Sequence, residues 1–186
     1  PLNPRFSYGG GKILWELMAI NFGREHFDRV VIYRPHNVYG PDMGWEHVLP
    51  QFATRMKKII DSNDEMDIID FNIQGTGNET RAFVYIDDFI EGVMKLIENG
   101  EHLNIYNIGT SDEVSIKELA VMVGSVYDKK VNVLPGEITE GSTIRRCPDI
   151  TKIMDLGYSP KVSMKEGVKK LVTWYREHIN DEKKLT

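Results

Sequence analysis

From Ile13 to Ile20 the chain runs Ile-Leu-Trp-Glu-Leu-Met-Ala-Ile, with Glu16 the one polar position. This predicts a helix over 12–22 that is apolar almost all round, so one face packs on a sheet and another needs a second layer or a partner subunit. Residues 29–34 are β-branched and apolar between flanking charges and Pro35, which predicts a buried strand, then a loop at Asn37, Gly40 and Pro41. Val48, Phe52, Met56 and Ile59 recur near the helical period over 47–60. After an acidic surface loop over 61–67, residues 68–73 and 80–86 read as strands joined by a turn at Gly75–Asn78. Asp87 or Asp88 can cap the next helix, which carries Phe89, Val93, Leu96 and Ile97 and stops at Asn99-Gly100. Residues 104–109 predict a further strand, and 131–134 a short one ended by Pro135-Gly136. Two capping boxes open helices: Ser115-Ile-Lys-Glu118 before Leu119, Met122, Val123 and Val126, and Ser163-Met-Lys-Glu166 before Val168, Leu171, Val172 and Tyr175. Residues 136–148 look irregular, and the charged tail 181–186 is expected to fray. Strands alternate with helices, so the class is α/β, with a small sheet for so much helix.

Composition narrows the function classes. A length of 186 residues suffices for a core without covalent staples. The net charge of −5 argues against a nucleic-acid binder, whose affinity rests on Lys and Arg neutralising phosphates. A single cysteine, Cys147, excludes an internal disulfide framework and fits a reducing, cytoplasmic setting. No apolar run reaches the ~18–20 residues of a membrane-spanning helix. The five histidines show no metal spacing, His36 and His47 reading as polar loop and helix-start residues, so no metal site is expected.

The first candidate for chemistry is Tyr8-Gly-Gly-Gly-Lys12. Residues four apart on a helix share a face. A free phenol has a pKa near 10, and bringing it to about 7 takes roughly 4 kcal/mol. A cation ~4 Å away supplies about that much at an effective dielectric of ~20. An ammonium one turn along a helix can therefore make a phenol a usable base. The three glycines allow close approach of a backbone or ligand, or a first turn that is not yet helical. They are no phosphate-binding P-loop, because Ile13 stands where Ser or Thr would hold the metal.

Further segments follow in order: Arg34-Pro-His-Asn37-Val-Tyr-Gly-Pro41, Gly75-Thr-Gly-Asn-Glu-Thr-Arg81 running on to Asp88, Tyr106-Asn-Ile-Gly109, and Arg145-Arg146-Cys-Pro-Asp149-Ile-Thr-Lys152. Together with Asn3–Lys12 they resemble the C-terminal part of the extended short-chain dehydrogenase/reductase family, the NAD-dependent nucleotide-sugar epimerases and dehydratases. The resemblance implies an incomplete Rossmann-type fold: two or so returning parallel strands with helices, plus a small α/β substrate-binding lobe. Residues 1–46 and 81–110 would form the cofactor-domain remnant with the catalytic helix, and 47–80 and 111–186 the substrate lobe. It implies NAD as cofactor, a nucleotide-diphosphate sugar as substrate, and a homodimer through the helix at 8–22.

Roles follow from the same resemblance. Tyr8 would take a sugar hydroxyl proton while hydride moves to the nicotinamide, and Lys12 would assist it and bond the cofactor ribose. Pro35 and the backbone around His36 would border the nicotinamide. Asn37 would contact the sugar or diphosphate, Val48 would line the nucleotide pocket, and Arg81 and Arg146 would clamp the diphosphate. From the residues alone, Asn37 is also an ordinary turn residue, Arg81 can pair with Asp70, and Arg146 with Asp149. Cys147 has no evident base beside it and is expected to be inert. The family's glycine-rich turn after a first strand is not found here, and its catalytic Ser or Thr is expected further upstream of the tyrosine than the seven residues that precede Tyr8. The chain is therefore expected to be a C-terminal fragment that turns over little by itself. The runner-up is a non-catalytic sugar-nucleotide-binding or assembly module on the same fold. The stretch around Arg146 resembles decarboxylases and 4-epimerases, with Cys147 departing from the polar residue expected there.

Overall fold

Helix α1 spans Arg5–His26, longer at both ends than the predicted 12–22. It runs helically through Gly9–Gly11, where an added Cβ would meet nothing within 4 Å. Neither close approach of another segment nor an unwound first turn explains these glycines, and each lowers helix stability by roughly 1 kcal/mol against alanine. The computed structural model describes residues 5–62, 65–138 and 141–179. The tail 181–186, residues 139–140 of the irregular stretch and the start of the Asn3–Lys12 segment lie outside that range.

The chain continues through β1 (Val31–Pro35), β2 (Val38–Tyr39), α2 (Val48–Ser62), β3 (Ile68–Asn72), β4 (Thr80–Ala82), β5 (Val84–Tyr85) and α3 (Ile86–Asn99). It ends with β6 (Asn104–Ile108), β7 (Glu113–Ser115), α4 (Ile116–Val126), β8 (Lys130–Leu134), β9 (Arg145–Arg146), α5 (Thr151–Met154) and α6 (Met164–Glu177). Parallel pairs join β1 to β6, β2 to β5 and β3 to β8, and a mixed sheet runs β7-β4-β9. The β1–β6 register carries Val31 opposite Asn104 through to Pro35 opposite Ile108.

Three local details depart from expectation. The strand predicted over 80–86 splits at Phe83 into β4 and β5, and α3 already starts at Ile86. Neither Asp87 nor Asp88 caps α3; its N-cap is Tyr85, which makes no side-chain cap bond. The buried Asp88 carboxylate instead accepts the N–H groups of Lys161 and Val162, at 3.0 and 2.9 Å. This binds α3 to the loop that feeds α6, a stronger call on a buried carboxylate than its own helix end. Ser115 and Glu118 form the full reciprocal capping box. Ser163 accepts from Glu166 N–H, while the Glu166 carboxylate pairs with Lys170 at 2.9 Å.

The described residues form two cores. In the first, Phe52, Met56, Phe71, Leu119, Leu171 and Tyr175 pack α2, α4 and α6 against β3 and β8. In the second, Leu96, Tyr106 and Ile108 meet Ile150, Ile153 and Tyr158, joining α3 and β6 to α5. Helix α1 belongs to neither. A Glu16–Arg34 fork, with both contacts at 2.7 Å, holds it to β1. Gly23 lies so close to Val30 and Leu103 that a Cβ would meet them at 2.8 and 3.0 Å. Ile13, Leu14, Trp15, Leu17 and Phe22 are all more than half exposed. The contact of that stretch with the β1–β6 pair is narrow: Glu16 reaches Arg34, Ala19 and Ile20 are half-buried, and the larger side chains stay outside. Two paired strands offer a strip ~5 Å wide, whereas a helix with side chains is ~10–12 Å across.

Candidate functional site

The register of a two-residue strand builds the centre of the site. Pairing of β4 with β9 sets Thr80 opposite Arg145 and Arg81 opposite Arg146. Arg145 is fixed by a fork onto Glu113, with Nη2 2.6 Å from Oε1, and this holds β9 against the mixed sheet. Arg81 donates to the carbonyls of Thr80 at 2.7 Å and Thr143 at 2.6 Å, and Arg146 to the Thr143 hydroxyl at 3.3 Å. Neither alternative pairing forms. Asp70 accepts from the Asn132 amide, and Asp149 from the Thr151 N–H. Burial and then the neighbouring Arg146 charge lower the Arg81 pKa. Two guanidiniums side by side, held by neutral oxygens, favour an anion that relieves their repulsion.

Both arginines line a cavity of about 430 Å³. Asn37 and Val48 line it as well, together with Phe52, Phe83 and Ile116. Four residues spread from position 37 to position 146 thus share one cleft. Asn37 sits at φ 44° and donates its side-chain amide to Ala82 O at 2.9 Å. The turn opposite is shaped by Gly75 and Gly77, at φ 81° and 86°, which a side chain would strain. Glu79 pins that turn by accepting the N–H groups of Thr76 and Gly77 at 3.0 and 2.9 Å. Burial opposes its charge, but these bonds prevail and hold its pKa below the ordinary carboxylate range.

Sequence reasoning missed Gln51 and Arg55, which also line the cavity. They fall at i+3 and i+7 from Val48, so the periodicity of α2 was the signal that could have found them. Arg55 lies 4.5 Å from the Phe71 ring centroid and donates to Asn72 O at 2.6 Å.

Tyr8 and Lys12 form a pair apart from this cavity, whose lining does not include them. The Lys12 ammonium stands 5.3 Å from the Tyr8 ring centroid. Both are exposed on α1, Tyr8 at 74%. Pro35 ends β1, and the His36 N–H extends the β1–β6 ladder to Ile108 O at 3.0 Å. Half-buried Cys147 donates to Ser111 O at 3.7 Å, and burial followed by the Glu113 charge raises its pKa, in keeping with an inert thiol.

The arrangement is that of a Rossmann-type α/β chain with a cavity lined by two adjacent arginines beside its parallel strands. Residues 1–109 match the NAD dependent epimerase/dehydratase family, and the chain belongs to it. It is 32% identical to UDP-glucuronic acid decarboxylase 2 of Arabidopsis thaliana, over 99% of this chain and 40% of that protein. It is 30% identical to human dTDP-D-glucose 4,6-dehydratase, over 100% of this chain and 52% of the relative. The dTDP-glucose 4,6-dehydratase DesIV of Streptomyces venezuelae, solved with NAD bound, superposes with a TM-score of 0.79 at 29% identity, over 100% of this chain and 56% of DesIV. The chain spans about half the length of the relatives it matches. No described helix is long and apolar enough to cross a membrane, and no described cluster of His, Cys, Asp and Glu could hold a metal ion.

NAD is the cofactor of this family. The donor types that would suit its nicotinamide ribose are present on α1, as the Tyr8 phenol and the Lys12 ammonium, 5.3 Å from ring centroid to nitrogen. At two helix starts carboxylates already occupy the place a pyrophosphate would take. Asp87 and Asp88 occupy the first turn of α3, and the capping box with Glu118 closes that of α4.

Proposed function

We propose that this chain is the substrate-side part of an NAD-dependent nucleotide-sugar enzyme, whose two phosphates are gripped by Arg81 and Arg146. The observation that carries this is the Arg81–Arg146 register in a cavity shared with Asn37 and Val48. Val48, Phe52 and Phe83 supply apolar surface for the nucleoside, and Asn37 a polar contact for the sugar or diphosphate. Bound NAD supplies the hydride acceptor. Tyr8 takes the proton of the reacting sugar hydroxyl, and the Lys12 ammonium stabilises the phenolate and bonds the ribose. The 4-keto sugar so formed is then epimerised, dehydrated or decarboxylated. Residues 1–46 and 81–110 serve the cofactor side, and 47–80 and 111–186 the nucleotide sugar.

Isothermal calorimetry with UDP and dTDP tests the clamp. Arg81→Ala and Arg146→Ala should each weaken binding by about 10-fold or more, since a hydrogen bond to a charged group contributes ~1.5–3 kcal/mol. Undiminished binding in both variants would overturn the reading. The 186 residues by themselves should bind NAD weakly for want of a pyrophosphate cradle, and micromolar affinity would contradict that. The apolar surface of α1 supports a homodimer through residues 8–22, which sedimentation velocity would detect. A reducing cytoplasm suits the free Cys147 thiol.

One observation favours a second reading. Tyr8 and Lys12 do not line the arginine cavity, as a purely sugar-nucleotide-binding or assembly module would allow. In an active full-length context, Tyr8→Phe separates the two. Lost turnover with retained UDP-sugar binding supports the enzyme, and unchanged turnover supports the module.

A further inference from the structure

The Asn107 side chain stands between two segments of the molecule. Its Nδ2 donates to Asp149 O at 2.9 Å, and its Oδ1 lies 3.1 Å from His36 Nε2. A backbone carbonyl only accepts, so the end of the amide facing Asp149 must be the NH2 group. The oxygen then faces His36, and a neutral imidazole can meet it only with a proton on Nε2. Nδ1 keeps the lone pair. The same junction is closed by Gly109, where a Cβ would meet Pro148 Cγ at 2.9 Å and His36 Cβ at 3.2 Å. The Tyr158 hydroxyl donates to Gly109 O at 2.9 Å and anchors the strand end from below.

We infer that Asn107 is a positioning residue: it locks His36 as the Nε2–H tautomer and, through Asp149, ties the segment carrying Arg146 to the end of β1. The first half stands on the hydrogen bonds alone. The second rests on the proposed role of Arg146. The lock leaves Nδ1 of His36 as the ring's acceptor, beside the residues assigned to the nicotinamide. The tether holds the diphosphate clamp in register with that same strand end, so cofactor-side and substrate-side groups share one amide.

Long-range proton–nitrogen correlation on nitrogen-15-labelled chain reads the tautomer, with His36→Gln identifying the signal. Wild type should show the Nε2–H form. Asn107→Asp keeps an acceptor for His36 and should preserve it, whereas Asn107→Leu should give mixed tautomers. Both substitutions remove the donor to Asp149 and should weaken UDP binding several-fold by calorimetry. An Nδ1–H form in wild type, or an unchanged spectrum in Asn107→Leu, overturns the lock. Full UDP affinity in Asn107→Asp, where Arg146→Ala weakens it, overturns the tether. If Arg146→Ala binds UDP like wild type, the reading of the cavity fails and the tether with it; the nitrogen spectrum still decides the lock. Should Asn107→Leu not fold, the wild-type spectrum and Asn107→Asp carry the decision.

Discussion

Helices α1 and α6 both carry rows of large apolar side chains, yet one row is sealed and the other is bare. On α6, Val168, Leu171, Val172 and Tyr175 are at most 1% exposed. On α1, Leu14 and Trp15 are 58% and 69% exposed. The α6 stripe is one-sided and packs on α2 and α4 in a shared core. The α1 surface is apolar on several sides and meets only a narrow pair of strands. The arginine cavity therefore adjoins the core that α6 seals, sharing Phe52 with it, while the Tyr8–Lys12 pair rides on a helix that the Glu16–Arg34 ion pair and the close approach of Gly23 to Val30 and Leu103 help to hold. A contiguous apolar surface of that kind is in keeping with the homodimer proposed through α1.

Substitutions can break or sharpen this contrast. Leu171→Ala should cost the most, ~2–5 kcal/mol, because it empties a sealed core position. A urea midpoint lowered at constant slope would register it, and a midpoint unchanged from wild type would refute the sealed packing of α6. Gly167→Ala comes next. Its Cβ would lie 2.0 Å from the Tyr39 hydroxyl and 2.7 Å from Cζ, against a ring that is 2% exposed. Overpacking of this sort costs about 1–3 kcal/mol, and thermal unfolding would show it. Wild-type stability would mean that Tyr39 can retreat.

The α4 cap makes a smaller, pH-dependent contribution. Backbone and hydroxyl bonds from Ser115, opposed by slight burial, hold the Glu118 pKa below its ordinary value. Stability from this depressed carboxylate is present above the unfolded pKa of about 4.3 and is lost as the pH falls through the folded value. Glu118→Gln should flatten the acid limb of a stability-against-pH curve; an identical limb would assign the loss to other groups. Leu14→Gln should matter least to the fold, within about 0.5 kcal/mol, since its side chain is 58% exposed and belongs to neither core. Its effect should fall on self-association instead. Sedimentation that is concentration-dependent in wild type and flat in the variant would agree. A large loss of stability in the monomer would contradict the bare state of α1.

Most long elements were legible because their periods are strong. The α6 stripe, the Ser115 capping box and the Gly100 helix stop are found where the pattern puts them. Elements of two to four residues, β2, β7, β9 and α5, are too short to show a period. Asp88 misled as a cap candidate because a carboxylate near a helix start serves any N–H within reach, and the closer ones came from 161 and 162. Gln51 and Arg55 escaped notice as cavity residues because they look like the polar back of an amphipathic helix.

The order of motifs along the chain was sufficient to determine its family, its α/β class and the chemical types it offers: a phenol with an amine one turn away, and arginines suited to phosphate. These depend on local spacing and residue identity, which a linear text carries completely. Which arginine faces which, that both share a cleft with Asn37 and Val48, and that α1 stands outside both cores were decided by tertiary structure. Strand register and the breadth of a packing surface arise from residues far apart in sequence, and no local pattern encodes them.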